Sequence, residues 1–309
     1  MILNLLRTLA LLGLAVLLSA CAGRQLHLPS PEQLDHLPPR VMLDVPFHPQ
    51  DAYQCGPASL AMMLNQRGIE ASPDTLKDRV YLPERQGTLQ VEMVAAAREQ
   101  DLLVYPLNGK LENLLAELAA GNPVLVMQNL AFNWYPQWHY AVAVGYDLNS
   151  QELILHSGLN QAQREPFKVF LRTWRRADNW AQLTLPPEQL PASAEPLAYL
   201  RAANDLEQVG RLDTATTAYL TAQKHWPDEP VAGFALGNIA WAQNKPREAM
   251  QQFSQVVERH PGLSAGWNNL LVTLEALGCE NEAAKTRECL EQSSPEACPV
   301  PRCPASASR

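Results

Sequence analysis

Ala215, Ala249 and Ala283 stand 34 residues apart, as do Pro227, Pro261 and Pro295. Gly210, Asn244 and Gly278 keep the same register, where a chain would reverse between two helices. A period of this length is one supersecondary unit, too small to bury its own apolar face, so neighbouring units must stack into a shared core. Residues 196–295 are therefore predicted to form three helical hairpins in an all-α solenoid. Tyr219 and Phe253 fill the large position of two units, and Leu236, Gly237 and Trp267 suit first-helix positions. Arg287 at the third large position marks an atypical, capping last unit.

The first half is organised around Gln50-Asp51-Ala52-Tyr53-Gln54-Cys55-Gly56-Pro57-Ala58-Ser59-Leu60. Pro57 costs little at a helix start, where its missing N–H would have had no partner, and Gly56 allows close backbone approach. Ala58, Leu60, Ala61 and Leu64 supply one apolar face, which places Cys55 on the first turn of a helix. Unpaired amides and the helix dipole there favour a thiolate over a thiol. Far downstream, His139 opens Tyr140-Ala141-Val142-Ala143-Val144-Gly145-Tyr146, a strand pattern. A histidine at a strand start can serve a helix-borne cysteine as general base, or it can simply pack beside Tyr146.

Gln-x4-Cys-Gly-Pro-Ala-x-Leu-x-Met, followed by His139 to Asp147, resembles the papain-fold peptidases that process bacteriocin double-glycine leaders, family C-thirty-nine. The resemblance spans roughly residues 40–180 and implies an α+β papain-like cysteine peptidase domain over residues 41–180. It assigns Cys55 as nucleophile, His139 as base and Gln50 as oxyanion-hole donor, with Gln54 as a rival because Gln50 lies only five residues before the cysteine. The chain departs from the family at the third residue. Where a carboxylate would orient the imidazole, it reads His156-Ser157-Gly158. Asp147 is at the far end of its strand, about 25 Å from His139 by the rise of extended chain. The expectation is a Cys55–His139 dyad with His156 or Ser157 assisting and Asp147 as the distant alternative. Asn133-Trp134-Tyr135-Pro136-Gln137-Trp138 precedes the base; Trp134, Tyr135 and Trp138 either grip a peptide or close the edge of the core.

The 34-residue units are similar to tetratricopeptide repeats, whose concave face implies a protein partner. Around these two blocks the chain offers further local signals. Met1 to Ala20 carries one basic residue, Arg7, then a short apolar core, which reads as a secretory signal. Leu18-Ser19-Ala20-Cys21 resembles a bacterial lipobox in which Cys21 is acylated, so the lipid anchor is the membrane contact expected. Ala22 in place of an aspartate favours the periplasmic face of the outer membrane. Residues 21–40 read as linker, residues 181–195 as a second linker, and residues 296–309 as a Pro- and Cys-containing tail.

Within the first domain, periodicity predicts helices from Cys55, after Ser72, over Gln90 to Gln100 and over Leu111 to Ala120. Strands are predicted at Arg40 to Phe47, Pro123 to Met127, His139 to Tyr146, Glu152 to Leu155 and, last, Phe167 to Phe170. Trp174 and Trp180 read as core.

A net charge of −8 without a basic run gives no footprint for nucleic acid. No cofactor or metal motif is found. Cys279, Cys289, Cys298 and Cys303 lack a tight C-x2-C pair and an intervening histidine, so two disulfides of open pairing are expected in an oxidising compartment rather than zinc. The reading is an envelope-anchored cysteine peptidase acting on a peptide or protein. The alternatives are a degenerate domain that binds peptides without cutting, or a scaffold lipoprotein working through its repeats.

Overall fold

A computed structural model describes residues 28–50 and 54–304. The signal segment and Cys21 lie outside the described residues. No helix among the described residues is long and apolar enough to cross a membrane.

The first domain is built on a seven-stranded antiparallel sheet. Its strands are β1 (Arg40–Met42), β4 (Leu103–Pro106), β5 (Val124–Asn129), β6 (Trp138–Asp147), β7 (Glu152–Ser157), β8 (Asn160–Pro166) and β9 (Ala181–Leu185). Their order is β4-β9-β5-β6-β7-β8, and β1 pairs with the last residues of β6. A separate hairpin joins β2 (Tyr81–Leu82) to β3 (Gly87–Thr88).

Alternation along β6 divides the domain into two cores. Tyr140, Val142 and Val144 pack with Leu125 and Ile154 under three helices: α2 (Cys55–Gln66), α3 (Pro73–Val80) and α4 (Gln90–Arg98). Ala141 and Ala143 point to the other face, under α5 (Leu111–Ala119) and α6 (Phe167–Arg175). A bulge between Ala143 and Gly145 changes the register, so Tyr146 joins this second core. The short helix α1 (Pro31–Leu34) begins at Ser30 and leads into β1; Leu28, Leu34 and Leu37 pack against the second core.

Two sequence expectations are overturned here. Residues 167–170 are not the last strand but the start of α6, in which Phe167, Phe170, Leu171 and Trp174 recur at helical spacing and are buried. Residues 181–185, expected in a linker, form β9 between β4 and β5. Alternation fails as a guide in both places. The aromatic run of α6 is locally strand-like until its period is followed over nine residues, and β9 is buried on both faces at four of its five positions. Trp174 is buried as expected and donates its indole N–H to the Trp180 carbonyl at 2.9 Å.

Six helices follow: α7 (Pro196–Gln208), α8 (Leu212–His225), α9 (Pro230–Ala242), α10 (Pro246–Arg259), α11 (Ser264–Ala276) and α12 (Glu280–Gln292). They form the three hairpins of the 34-residue register. Ala215, Ala249 and Ala283 are buried where helices approach closely. Gly210, Asn244 and Gly278 take φ of 79°, 58° and 74° at the reversals, the left-handed conformation that glycine and asparagine tolerate best. The cysteines pair as Cys279–Cys303 and Cys289–Cys298, folding the tail over the last hairpin.

The solenoid is continuous with the first domain. Tyr199, Leu200, Ala203 and Leu206 of α7 share one core with Leu103, Leu115 and Leu183. Residues 186–195 cross between the two under firm hold. The buried Glu117 carboxylate accepts the amides of Ala192 (3.1 Å) and Ser193 (2.8 Å), the Ser193 hydroxyl (2.6 Å) and Asn122 Nδ2 (2.9 Å). Arg67, at the end of α2, donates to Asn122 Oδ1 and to the Thr184 carbonyl. Arg98 pairs with Asp205, and Thr214 donates to Asp101 at 2.9 Å.

Candidate active site

Cys55 is the first residue of α2, half-buried, with Gln54 at the N-cap position making no side-chain cap. Gly56 follows because nothing larger fits. A Cβ there would stand 2.4 Å from Thr88 Oγ1, so the β2–β3 hairpin lies directly on the helix start. The hairpin is held there by Tyr140, whose hydroxyl donates to the Thr88 carbonyl at 3.3 Å. The Tyr140 amide favours the charged form of the Cys55 thiol. Tyr140, next to His139 in β6, thus ties that strand to the hairpin that covers the start of α2.

His139 Nε2 lies 2.9 Å from Ser157 Oγ. With Nε2 engaged, Nδ1 is the nitrogen left to receive a proton. The structure therefore joins His139 to Ser157. No direct Cys55–His139 hydrogen bond is formed among the described residues.

The electrostatics differ from the sequence expectation. Burial pushes the Cys55 thiol up, and the amides of Tyr140, Gly56 and Cys55 itself only oppose that. Burial also pushes the His139 imidazole below its ordinary value. Both effects favour the neutral thiol and the neutral imidazole, whereas the helix start alone suggested a thiolate. A charge half out of water costs more than a few amides return, and Ser157 brings no compensating charge.

The other site candidates fall as follows. Gln50 is buried, its amide donating to the Gly158 carbonyl at 3.1 Å and its Nε2 lying 3.4 Å from Ser59 Oγ, one turn beyond Cys55. It is tied both to α2 and to the turn that follows Ser157. His156 is directed elsewhere. Its Nε2 meets the Val45 carbonyl at 3.0 Å and its Nδ1 accepts the Ala162 amide at 3.1 Å, so neither nitrogen is left for His139. Asp147 ends β6 beside Arg164 and stands opposite Arg40 in the sheet, at the other end of the strand from His139. Neither side chain contacts His139 among the described residues, whereas Ser157 does.

Trp134, Tyr135 and Trp138 do not close the core; they are 81%, 63% and 53% exposed. Phe132 stacks on Trp134 with ring centroids 5.6 Å apart. Buried Asn129 organises this loop, its Oδ1 accepting the amides of Ala131 and Gln137 and its Nδ2 donating to the Phe132 carbonyl. Sequence reasoning missed Asn129, Thr88 and the Tyr140 amide. A polar residue ending an apolar strand was the available signal for Asn129; the other two act through backbone or packing and carry none.

The domain thus sets a cysteine at a helix start and a histidine at a strand start on an α+β scaffold. Residues 42–182 match the family model described as Peptidase_C39 like family. Residues 200–264 match the tetratricopeptide repeat model. The chain thus carries a C39-like peptidase domain followed by tetratricopeptide repeats.

Among solved structures, a Bacillus anthracis protein described as a C39-like peptidase is 20% identical, with 47% of this chain and 97% of that chain covered and a TM-score of 0.39. The peptidase domain of Streptococcus ComA, a bifunctional ABC transporter, is also 20% identical, with coverage of 47% and 98% and a TM-score of 0.36. A double glycine motif protease from an AMS/PCAT transporter is 20% identical, with coverage of 46% and 91% and a TM-score of 0.37. No curated protein matches the chain.

Proposed function

We propose that this protein is an envelope-anchored cysteine peptidase that hydrolyses peptide bonds in a peptide or protein brought to it through the repeats. The supporting observation is the Ser157–His139 contact, which occupies Nε2 and leaves Nδ1 as the base for Cys55. Nδ1 accepts the thiol proton as sulfur attacks the scissile carbonyl. The oxyanion is met by Gln50 Nε2 once that group turns from Ser59, together with the helix-start amide of Cys55. The imidazolium then protonates the leaving amine, and a water activated by the same nitrogen hydrolyses the thioester. The repeats, by family likeness, hold a protein partner on their concave face. Cys21 supplies the lipid anchor, on the periplasmic face of the outer membrane.

One observation favours a second reading. A raised thiol and an uncharged orienting residue suit a domain that binds peptides without cutting them. Comparison of envelope-protein N-termini between cells with the parent protein and with Cys55→Ala separates the two. The peptidase reading expects new N-termini that disappear in Cys55→Ala; identical N-termini in both would leave the binding reading.

A further inference from the structure

The loop over residues 130–138 emerges beside His139 and presents Phe132, Trp134, Tyr135 and Trp138 to solvent, with Leu130 beside them at 50% exposure. Such an array on a soluble domain marks an interaction site. It is also rigid, because Asn129 accepts two hydrogen bonds from the loop and donates one to it, Phe132 and Tyr135 form a β-bridge, and Arg176 donates to the Ala131 carbonyl. Preset aromatic rings give large contact area at little entropy cost.

Arg176 ties this loop to α6, and α6 carries a row of cations. Between Phe167 and Arg176 the chain holds Lys168, Arg172, Arg175 and Arg176 and no carboxylate, although the protein as a whole has a net charge of −8. Lys168 and Arg172 are exposed one turn apart, Val169 adds 44% exposed apolar surface, and no ion pair reaches Lys168, Arg172 or Arg176 among the described residues. The concentration of positive charge at the helix C-terminus is favourable to the helix itself, yet it leaves a basic face continuous with the aromatic loop.

We propose that the loop over residues 130–138 and the outer face of α6 together form a recognition subsite for a peptide segment bearing aromatic and acidic side chains. The aromatic residues dock on Phe132, Trp134 and Tyr135, and the acidic ones meet Lys168 and Arg172. This inference rests on the reading of Cys55 and His139 as the reacting pair, since it places the segment next to the bond to be cut. A lipid surface is the rival occupant for aromatics beside cations. The fold argues against it: the N-terminal segment enters through β1, paired at the Asp147 end of β6, whereas the aromatic loop leaves the Trp138 end. With the proposed anchor at Cys21, the chain enters the sheet at the end opposite this loop.

The test is binding to the full-length Cys55→Ala protein, which removes cleavage from the measurement. Three short synthetic peptides are compared by anisotropy: one with paired Phe and flanking Glu, one with Lys replacing each Glu, and one with Ser replacing each Phe. The first is expected to bind tightest, each of the others about tenfold or more weaker, with added salt narrowing the Glu-to-Lys difference. Trp134→Ser should remove the preference for Phe, and Lys168→Glu with Arg172→Glu should remove the preference for Glu, in proteins of unchanged thermal unfolding. Equal binding of all three peptides, or preferences that survive these substitutions, would overturn the proposal. So would tighter association of the loop with phosphatidylglycerol vesicles than with the Phe/Glu peptide. If the Cys55→Ala protein discriminates the peptides while the parent cuts none, the subsite stands and the peptidase reading fails.

Discussion

Ser157→Asp replaces a hydroxyl 2.9 Å from His139 Nε2 with a carboxylate. Opposite charges about 4 Å apart attract by about 4 kcal/mol at an effective dielectric near 20. Partial burial of the new carboxylate offsets much of that, leaving about 1.4–2.7 kcal/mol, or about 1–2 pH units, in favour of the imidazolium. The imidazolium then stabilises the thiolate. The readout is the rate at which iodoacetamide alkylates the Cys55 peptide, followed by mass spectrometry across pH. In the parent protein, burial raises the thiol and lowers the imidazole, so the alkylation midpoint should lie above the ordinary thiol value of about 8.5. Ser157→Asp should lower that midpoint by about 1–2 units, whereas Ser157→Ala should not lower it. A parent midpoint below the ordinary value refutes the burial argument. An unchanged midpoint in folded Ser157→Asp refutes the coupling of position 157 to the cysteine through His139.

Two further outcomes concern the scaffold. Glu117→Ala leaves four donors without their acceptor, the buried Asn122 amide among them, and should destabilise the protein by about 1–3 kcal/mol, opening residues 186–195 to limited proteolysis; resistance equal to the parent would show that the shared core alone holds the crossing. Replacing Cys279 and Cys303 by Ser removes a link across a sequence separation of 24 and should cost about 3 kcal/mol, confined to the last hairpin. Hydrogen exchange should quicken over residues 264–292 and not over the sheet; uniform quickening would contradict a local role.

Local signals determined much of this protein from its sequence alone. The 34-residue register of Ala215, Ala249 and Ala283 announces stacked hairpins because only small residues fit there, and the structure buries all three. Cys55 before Gly56-Pro57 is a helix start on the chemistry of its first turn, and it opens α2. His139 at the head of an alternating run is likewise legible. These features persist in the sequence because they depend on neighbours within a few residues or on an exact period.

What needed the tertiary structure depends on residues far apart in the chain. The choice among Asp147, His156 and Ser157 rests on strand placement: Asp147 ends β6 beside Arg164, while β7 turns His156 to Val45 and Ser157 to His139. The protonation balance of Cys55 follows from burial by β6 and β3, which no first-turn argument contains. Residues 181–195 look like a linker because their prolines and small residues carry no period. Only the sheet, which takes in β9, and the buried Glu117 carboxylate, 75 residues before Ala192, turn them into the junction that fixes the repeats to the peptidase domain.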